Sequence, residues 1–178
     1  NQTLKEIEII CINDGSTDNS LEIVKNFSKN DSRIVIIDKQ NSGYGDSMNK
    51  GLEKAKGEYI GIVESDDFID SDAFEKLYNI ASKNNVEVTK SNFYEYYGEE
   101  QKDKKTSQLF LTEETNKIIN PRKKHNIFYQ PPCIWAAIYR RDFLENNKIN
   151  FLTTPGASYQ DTGFNFKVWA SAQKVYFI

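Results

Sequence analysis

The chain has 178 residues, a length typical of a single domain. Its 23 Lys and Arg residues against 26 Asp and Glu residues give a net charge of −3, which argues against nucleic acid as the main partner. The hydrophobic fraction of 38% suffices for a core and excludes disorder of the whole chain. Two cysteines and one histidine exclude a disulfide framework and the usual zinc centres.

Short apolar runs alternate with helical patterns through the first half of the chain. The patterns predict strands at 6–14, 33–38, 59–63 and 86–92, and helices at about 20–30, 47–55 and 72–84. Such alternation indicates βαβ units, because parallel strands need helical crossovers. We therefore predict an α/β fold with a mostly parallel central sheet flanked by helices.

From residue 98 onward the pattern is less regular. This part is rich in aromatic residues, is interrupted by Pro131 and Pro132, and ends in a predicted helix at 162–172 and a strand at 175–178. We treat 1–178 as one domain with two halves, 1–97 and 98–178. No apolar stretch approaches the roughly 20 residues that span a bilayer, so we expect a cytoplasmic protein.

Acidic clusters follow two of the predicted strands. Asp14 ends the first strand, and Glu64, Asp66 and Asp67 follow the third. Because ligands of open α/β sheets bind at the carboxyl ends of strands, we expect these side chains to share a site. Carboxylates without neighbouring His or Cys suit Mg²⁺ or Mn²⁺. The alternative is that Asp66 and Asp67 cap the following helix.

Three sequence blocks resemble the inverting glycosyltransferases of family 2. The blocks are ICINDGSTDNS, NSGYGDSMNKGLEKAKGEYIGIVESDDFI and SYQDTGFNFKV, and their order and spacing match the family from Ile10 to Val168. The resemblance implies the GT-A fold and metal-dependent transfer of a sugar from a nucleotide diphosphate, UDP first, to a hydroxyl. It also implies synthesis of a cell-surface polysaccharide or glycolipid. Residues 1–97 would then be the nucleotide-sugar-binding half and 98–178 the acceptor-side half.

The resemblance assigns donor-site roles to several residues. Asp14 would accept a hydrogen bond from the ring N–H of uracil, and Gly15 and Ser16 would let the turn approach the nucleotide. Asp66 would bind a divalent ion, Mn²⁺ or Mg²⁺, that bridges the diphosphate, with Asp67 in support. The other residues expected to contact the nucleotide-sugar are Asn41, Gly43, Asn49, Glu64 and Ser65.

Two departures from the family pattern bear on the donor. Glu64 stands where the family has Asp, so this side chain is one methylene longer. Ser47-Met48-Asn49 stands where the family often has Ala-Arg-Asn. The missing Arg removes a contact to sugar or phosphate, which leaves the identity of the donor sugar open.

The acceptor side carries three further candidates. Asp161 resembles the general base that takes the proton of the acceptor hydroxyl; the alternative is a charge stabilised at a helix N-terminus. Gln160 is expected to contact the acceptor. Trp135 offers a flat face for stacking on a sugar, with a place in the core as the alternative.

Two other functions stay open at this point. One is a non-catalytic module of the same fold that binds nucleotide-sugars or glycans. The other is a nucleotidyltransferase, although the basic, glycine-rich phosphate loop usual for that chemistry is absent from the sequence.

The resemblance also implies partners and a missing element. The partners would be a nucleotide-sugar donor and a glycan or lipid-linked acceptor, with peripheral association at the inner membrane face in the full-length protein. We expect a strand and a helix to precede Asn1, so the first strand of the fold is missing from this chain. The edge left open would favour self-association.

Overall fold

A computed structural model describes residues 1–96, 105–107, 112–156 and 158–178. Within them the chain forms nine strands and five α-helices. Their bounds are β1 Ile9–Asp14, α1 Ser20–Ser28, β2 Ile34–Lys39, α2 Tyr44–Lys54, β3 Tyr59–Gly61, α3 Ala73–Asn84, β4 Val88–Lys90, β5 Phe93–Glu95, β6 Lys105–Ser107, β7 Ile118–Ile119, β8 Ala137–Arg140, α4 Arg141–Asn146, α5 Gln160–Ser171 and β9 Val175–Phe177. The predicted division of the domain at 97/98 lies outside the described residues.

The strands form two sheets and a hairpin. β1 and β2 pair in parallel, with Ile9 opposite Ile34 and Asp14 opposite Lys39. A five-stranded sheet has the order β3-β8-β4-β9-β7, and β5 pairs with β6 as an antiparallel hairpin. The β-branched residues that dominate β1 and β2 favour this extended, pleated backbone.

The central sheet is mixed, and the prediction of a mostly parallel sheet is wrong. β4 and β9 are parallel, but β8 runs antiparallel to both β3 and β4, and β7 runs antiparallel to β9. The reason is the long segment between β4 and β8. After it the chain enters the sheet from the opposite end, so β8 lies between β3 and β4 and runs antiparallel to both. The apolar run around Ala137–Arg140 showed no alternating period, so this strand was not predicted.

β1 and β3 start side by side. The side chain of Glu8, just before β1, accepts hydrogen bonds from the backbone N–H groups of Lys56 and Gly57. The bond from Gly57, which lies two residues before β3, is 2.9 Å long. Within the described residues, β1 pairs only with β2 and β3 only with β8. The self-association of the chain stays a prediction.

The main core lies between the five-stranded sheet and α5. Phe164 and Trp169 of α5 are buried, and Phe164 stacks on Phe151 with a centroid separation of 4.2 Å. Full burial of such a side chain stabilises the fold by about 1.5–3 kcal/mol. This packing fixes α5, and with it the position of the residues at its N-terminus.

Helix α2 begins three residues earlier than predicted. Gly43 precedes it with φ of +92°, a backbone conformation that glycine adopts without strain, so the turn is complete before Tyr44. No helix among the described residues is long and apolar enough to cross a membrane.

Candidate active site

Glu64, which follows β3, lies at the centre of an acidic group. Burial raises the pKa of the Glu64 carboxyl, a hydrogen bond from Tyr44 opposes that rise, and the charges of Asp66, Asp67 and Asp161 add to it. Asp161 acts on Glu64 because the N-terminus of α5 lies beside the loop after β3. The structure therefore brings together acidic residues that are about a hundred positions apart in the chain.

Tyr44 connects this acidic group to helix α2. Its hydroxyl donates a 2.6 Å hydrogen bond to Oε1 of Glu64, and its ring packs edge-on against Phe151, 5.9 Å between centroids. Burial and the neighbouring Glu64 raise the pKa of the Tyr44 hydroxyl, so it stays a donor at neutral pH. Tyr44 was not predicted as a site residue, because it precedes the helix predicted at about 47–55; its place between Gly43 and Gly45 was the available signal.

Asp14, the last residue of β1, holds the loop before α2. Its carboxylate accepts hydrogen bonds from the backbone N–H groups of Ser42 (2.9 Å) and Gly43 (3.0 Å), and it forms an ion pair with Lys39. Burial alone would raise the pKa of Asp14, but the hydrogen bonds and the charge of Lys39 outweigh it and hold the pKa below its usual value. Lys39, which also lies 3.1 Å from Asp46, is a second residue that the sequence analysis missed.

The turn after β1 packs tightly against the loop at Asn41. Gly15 has φ of +72°, and a Cβ on it would lie 2.8 Å from the backbone nitrogen of Asn41. The exposed residue Ser16 donates its backbone N–H to the side chain of Asn13 at 3.3 Å. Gly15, Ser16, Asn41 and Gly43 therefore form one continuous rim next to Asp14.

The loop after β3 presents Ser65, Asp66 and Asp67 to solvent. The backbone N–H of Asp67 donates to the carbonyl of Glu64 at 3.2 Å, which closes a turn. Partial burial and the charge of Asp66 raise the pKa of Asp67. The turn positions these carboxylates. The N-cap residue of α3 is Asp72, which makes no capping hydrogen bond with its side chain, whereas Oε1 of Gln2 accepts from the backbone N–H of Phe74 at 3.2 Å.

Two carboxylates fit a divalent ion only in part. Asp66 and Asp67 supply hard oxygen ligands, the kind that Mg²⁺ and Mn²⁺ prefer. No group of three or more His, Cys, Asp or Glu side chains within the described ranges is arranged to hold an ion. An ion at this loop would therefore need oxygen atoms from a bound ligand to complete its coordination shell.

Asp161 lies in the first turn of α5 and is partly buried. Burial is the main cause of the raised pKa values of the Tyr44 hydroxyl and the Cys133 thiol, and the charge of Asp161 raises both further. The starts of α2 and α5 lie close together, because Gly45 and Gly163 both approach Leu152.

Gln160 and Asn49 use their amides to hold the backbone. Gln160 is buried; its Nε2 donates to the carbonyls of Thr154 (3.1 Å) and Gly156 (2.8 Å), and its Oε1 accepts from the N–H of Ser158. Asn49 exchanges two hydrogen bonds with the backbone of Phe151, at 2.8 and 3.0 Å. Ligand contacts by these two residues stay predictions.

Trp135 makes a core contact, and its stacking on a sugar stays a prediction. It is half-buried and packs edge-on against Phe93 with centroids 4.6 Å apart, which is a core contact. It also lines a cavity of about 510 Å³ whose wall includes Asp66 and Asp67. One side of this ring therefore stabilises the fold while the residue also borders the acidic loop.

Several proteins are similar to this chain over nearly all of its length. EpsJ of Bacillus subtilis strain 168, an uncharacterized glycosyltransferase, is 32% identical over 98% of this chain and 51% of its own length. The poly(ribitol-phosphate) beta-glucosyltransferase of Bacillus spizizenii is 30% identical over 98% of this chain and 27% of its own length. The chain thus spans about half or less of these relatives.

Solved structures share the fold. TarS of S. aureus, residues 1–349 in complex with UDP-GlcNAc, superposes with a TM-score of 0.76 over 96% of this chain and 46% of its own, at 21% identity. The mannosyltransferase PcManGT of Pyrobaculum calidifontis, in complex with GDP-Man and Mn²⁺, gives 0.62 over 96% of this chain and 45% of its own, at 16% identity. At these identities the likeness establishes the fold, and the predicted GT-A fold is confirmed.

The family comparison bears on the first two of the three sequence blocks. The profile described as "Glycosyl transferase family 2" matches residues 1–147, which include the turn after β1 and the acidic loop after β3. The relatives and the shared fold agree with it. The chain therefore belongs to glycosyl transferase family 2.

Proposed function

We propose that this chain is the catalytic part of an inverting glycosyltransferase. It would move a sugar from a nucleoside-diphospho-sugar donor to a hydroxyl of a glycan or lipid-linked acceptor, and the favoured donor is a UDP-sugar. The observation that carries the proposal is the acidic group around the half-buried Glu64, which accepts a hydrogen bond from Tyr44 and whose pKa is raised by burial and by the charges of Asp66, Asp67 and Asp161. The name of the poly(ribitol-phosphate) relative supports a cell-surface polymer or glycolipid as the destination.

Donor binding is proposed along the rim next to Asp14. The Asp14 carboxylate, oriented by Ser42 and Gly43, would accept a hydrogen bond from the N–H of the base. Gly15 lets the turn pack against Asn41, because a Cβ there would lie 2.8 Å from the backbone nitrogen of Asn41, and this turn would approach the nucleotide. The UDP-GlcNAc complex of TarS supports UDP as the first nucleotide to test.

Asp66 and Asp67 would hold a divalent ion together with the diphosphate oxygens of the donor. The ion would neutralise charge on the departing nucleoside diphosphate. The Mn²⁺ in the mannosyltransferase complex supports this proposal. Glu64 keeps the loop in place through its hydrogen bond with Tyr44 and would contact the ribose or the sugar.

Asp161 would act as the general base. Its carboxylate would accept the proton of the acceptor hydroxyl while that oxygen bonds to the anomeric carbon. The bond from this carbon to the diphosphate breaks, and the diphosphate leaves with the electron pair. Attack from the face opposite the diphosphate inverts the anomeric configuration. A base positioned in this way contributes about 10²–10⁴-fold to the rate.

Thermal unfolding with UDP, GDP and dTDP, each with and without Mn²⁺, tests the donor site. A ligand at about 100 times its dissociation constant adds roughly 2.7 kcal/mol to the free energy of unfolding. We expect a Mn²⁺-dependent rise in Tm with UDP that Asp66→Ala abolishes. Asp142→Ala, which removes an exposed carboxylate beside Arg140, is the matched control. The donor site is refuted if no nucleotide raises the Tm in a metal-dependent way.

Measurements of turnover distinguish this function from a non-catalytic binding module and from a nucleotidyltransferase. UDP binding without release of UDP from UDP-glucose or UDP-N-acetylglucosamine, in the presence of sugar acceptors, would favour a non-catalytic binding module. Formation of a nucleotide-sugar from a sugar phosphate and a nucleoside triphosphate would instead identify a nucleotidyltransferase.

A further inference from the structure

The cavity beside the acidic loop has the size of a small-molecule site. Its volume of about 510 Å³ falls within the roughly 300–1,000 Å³ of such sites. It opens between the loop after β3, helix α3 and the segment around β5, with the buried side chains of Ile62 and Leu77 among its lining residues. None of the donor-site roles proposed above uses this space beyond the two aspartates at its edge.

Aromatic rings line the cavity and remain exposed. Phe68 is 64% exposed, Tyr94 57% and Tyr96 49%, and Phe68 packs edge-on against Tyr96 with centroids 5.2 Å apart. Large rings gathered at a rim, with none of the described elements covering them, mark a binding surface. The flat face of such a ring suits the apolar C–H face of a sugar.

The charged residues that line the cavity are all acidic. They are Asp66, Asp67, Asp70 and Glu95, and no Lys, Arg or His belongs to the described lining. A divalent ion at Asp66 and Asp67 does not reverse this charge, because the donor diphosphate brings two negative charges of its own. Carboxylates accept hydrogen bonds from hydroxyl groups and repel phosphate and carboxylate groups.

We propose that this cavity receives an uncharged sugar of the acceptor and rejects acceptors that carry a phosphate or carboxylate next to the reacting hydroxyl. In this selectivity the chain would differ from the Bacillus spizizenii relative, whose name describes a poly(ribitol-phosphate) acceptor. The rings of Phe68, Tyr96 and Trp135 stack on the sugar, and the acidic residues accept hydrogen bonds from its hydroxyls. This inference rests on the proposed function, because the neighbouring donor site is what makes the bound sugar an acceptor.

Saturation-transfer NMR on the whole chain with Mn²⁺ and UDP tests the ligand class. The neutral probes are methyl β-D-glucopyranoside and methyl N-acetyl-β-D-glucosaminide; the anionic probes are glucose 6-phosphate and glucuronic acid. We expect saturation of at least one neutral probe and a signal at least fivefold weaker for both anionic probes. Equal signals for the two classes, or no signal from either neutral probe, would overturn the proposal.

Surface variants locate the bound probe. Phe68→Ala and Tyr96→Ala should each weaken binding of the neutral probe at least fivefold, and neither removes a buried side chain. Tyr129→Ala, which truncates a ring that is 87% exposed outside the cavity, is the matched control and should leave binding unchanged. Asp70→Lys should raise the signal of glucose 6-phosphate. Wild-type binding in both cavity variants would contradict the assignment.

Competition distinguishes an acceptor sugar from the sugar of the donor. The probe signal should survive saturating UDP-glucose or UDP-N-acetylglucosamine, or give way to a disaccharide product. Displacement of the probe by either donor, without product, would assign the cavity to the donor sugar and overturn the proposal. The two proposals can also fail separately. If the probe binds in a way that depends on Phe68 but UDP does not raise the Tm, the sugar site in the cavity is supported and the donor site is refuted.

Discussion

The hydroxyl of Tyr44 donates a 2.6 Å hydrogen bond to Oε1 of Glu64. This contact joins the start of α2 to the loop after β3, and the neighbouring residue Gly43 is held in turn by Asp14. The rim next to Asp14 and the acidic loop are therefore coupled through two consecutive residues. Removal of the Tyr44 hydroxyl should change the charge state of the loop without emptying any part of the core.

Tyr44→Phe should raise the pKa of Glu64 further. The hydrogen bond favours the ionised carboxyl, so its loss leaves burial and the charges of the neighbouring aspartates unopposed. We also expect a loss of about 1 kcal/mol in the free energy of unfolding. The ¹³C shift of the Glu64 carboxyl, followed against pH, measures the change.

Tyr78→Phe is the control for this variant. Tyr78 also donates to a glutamate, Glu58, at 3.2 Å, but at a surface position away from the acidic loop. The Glu64 titration should be the same in Tyr78→Phe as in the wild type. A Glu64 titration that does not move in Tyr44→Phe would show that the hydroxyl does not stabilise the carboxylate.

Contacts between distant segments explain why Tyr44 was missed. The strands and helices up to β4 follow short loops and clear periodicities, so local sequence suffices to predict them. The amide of Asn49 meets the backbone of Phe151, 102 residues further on, and the hydroxyl of Tyr44 meets Glu64 across the site. Such partners depend on how the elements pack, which periodicity does not encode. β8 was missed for the same reason, since its neighbours in the sheet lie far away in sequence.

Asp14→Asn should destabilise the chain in a pH-dependent way. The folded pKa of Asp14 lies below its unfolded value of about 3.9, so its ionised form stabilises the fold above that pH. This stability is lost as the pH falls through the folded pKa. We expect a deficit of about 1 kcal/mol at pH 7 that narrows below about pH 4.

Urea unfolding across pH 3–7 measures the deficit of Asp14→Asn. Asp142→Asn removes an exposed carboxylate beside Arg140 and gives the effect of losing a surface charge. A deficit for Asp14→Asn that is constant across this range would refute the stabilising role of the ionised carboxylate.

Asn49→Ala should lower stability by about 1–3 kcal/mol. The substitution deletes both hydrogen bonds to Phe151 and leaves its backbone groups without these partners. Urea unfolding gives the loss, and the dissociation constant of UDP, measured on the folded variant, gives the ligand effect. A stability within 0.5 kcal/mol of the wild type, about the effect of a neutral surface change, would contradict the anchoring role.

Two helical glycines should respond to alanine with opposite signs. A Cβ on Gly45 of α2 would lie 1.9 Å from the carbonyl oxygen of Leu152, so Gly45→Ala must displace backbone. A Cβ on Gly163 of α5 meets only the side chain of Leu152, at 3.5 Å. We expect Gly45→Ala to destabilise by about 1–3 kcal/mol and Gly163→Ala to stabilise by about 0.5–1 kcal/mol. Thermal unfolding of both variants measures the contrast, and equal effects would contradict the close approach.

Asp161→Asn should separate binding from transfer. The amide keeps the size of the carboxyl but does not accept a proton, so the rate of UDP release from a UDP-sugar in the presence of acceptor should fall about 10²–10⁴-fold. UDP affinity should stay within twofold, because the role proposed for Asp161 is a contact with the acceptor and not with the nucleotide.

A control variant accounts for the helix contribution of Asp161. A charge in the first turn of a helix stabilises it by about 0.3–1 kcal/mol. Glu22→Gln, in the first turn of α1, removes a comparable charge and should leave the rate unchanged. A rate for Asp161→Asn equal to that of the wild type would exclude Asp161 as the base. A fall in UDP affinity that accounts for the whole loss of rate would assign the residue to donor binding instead.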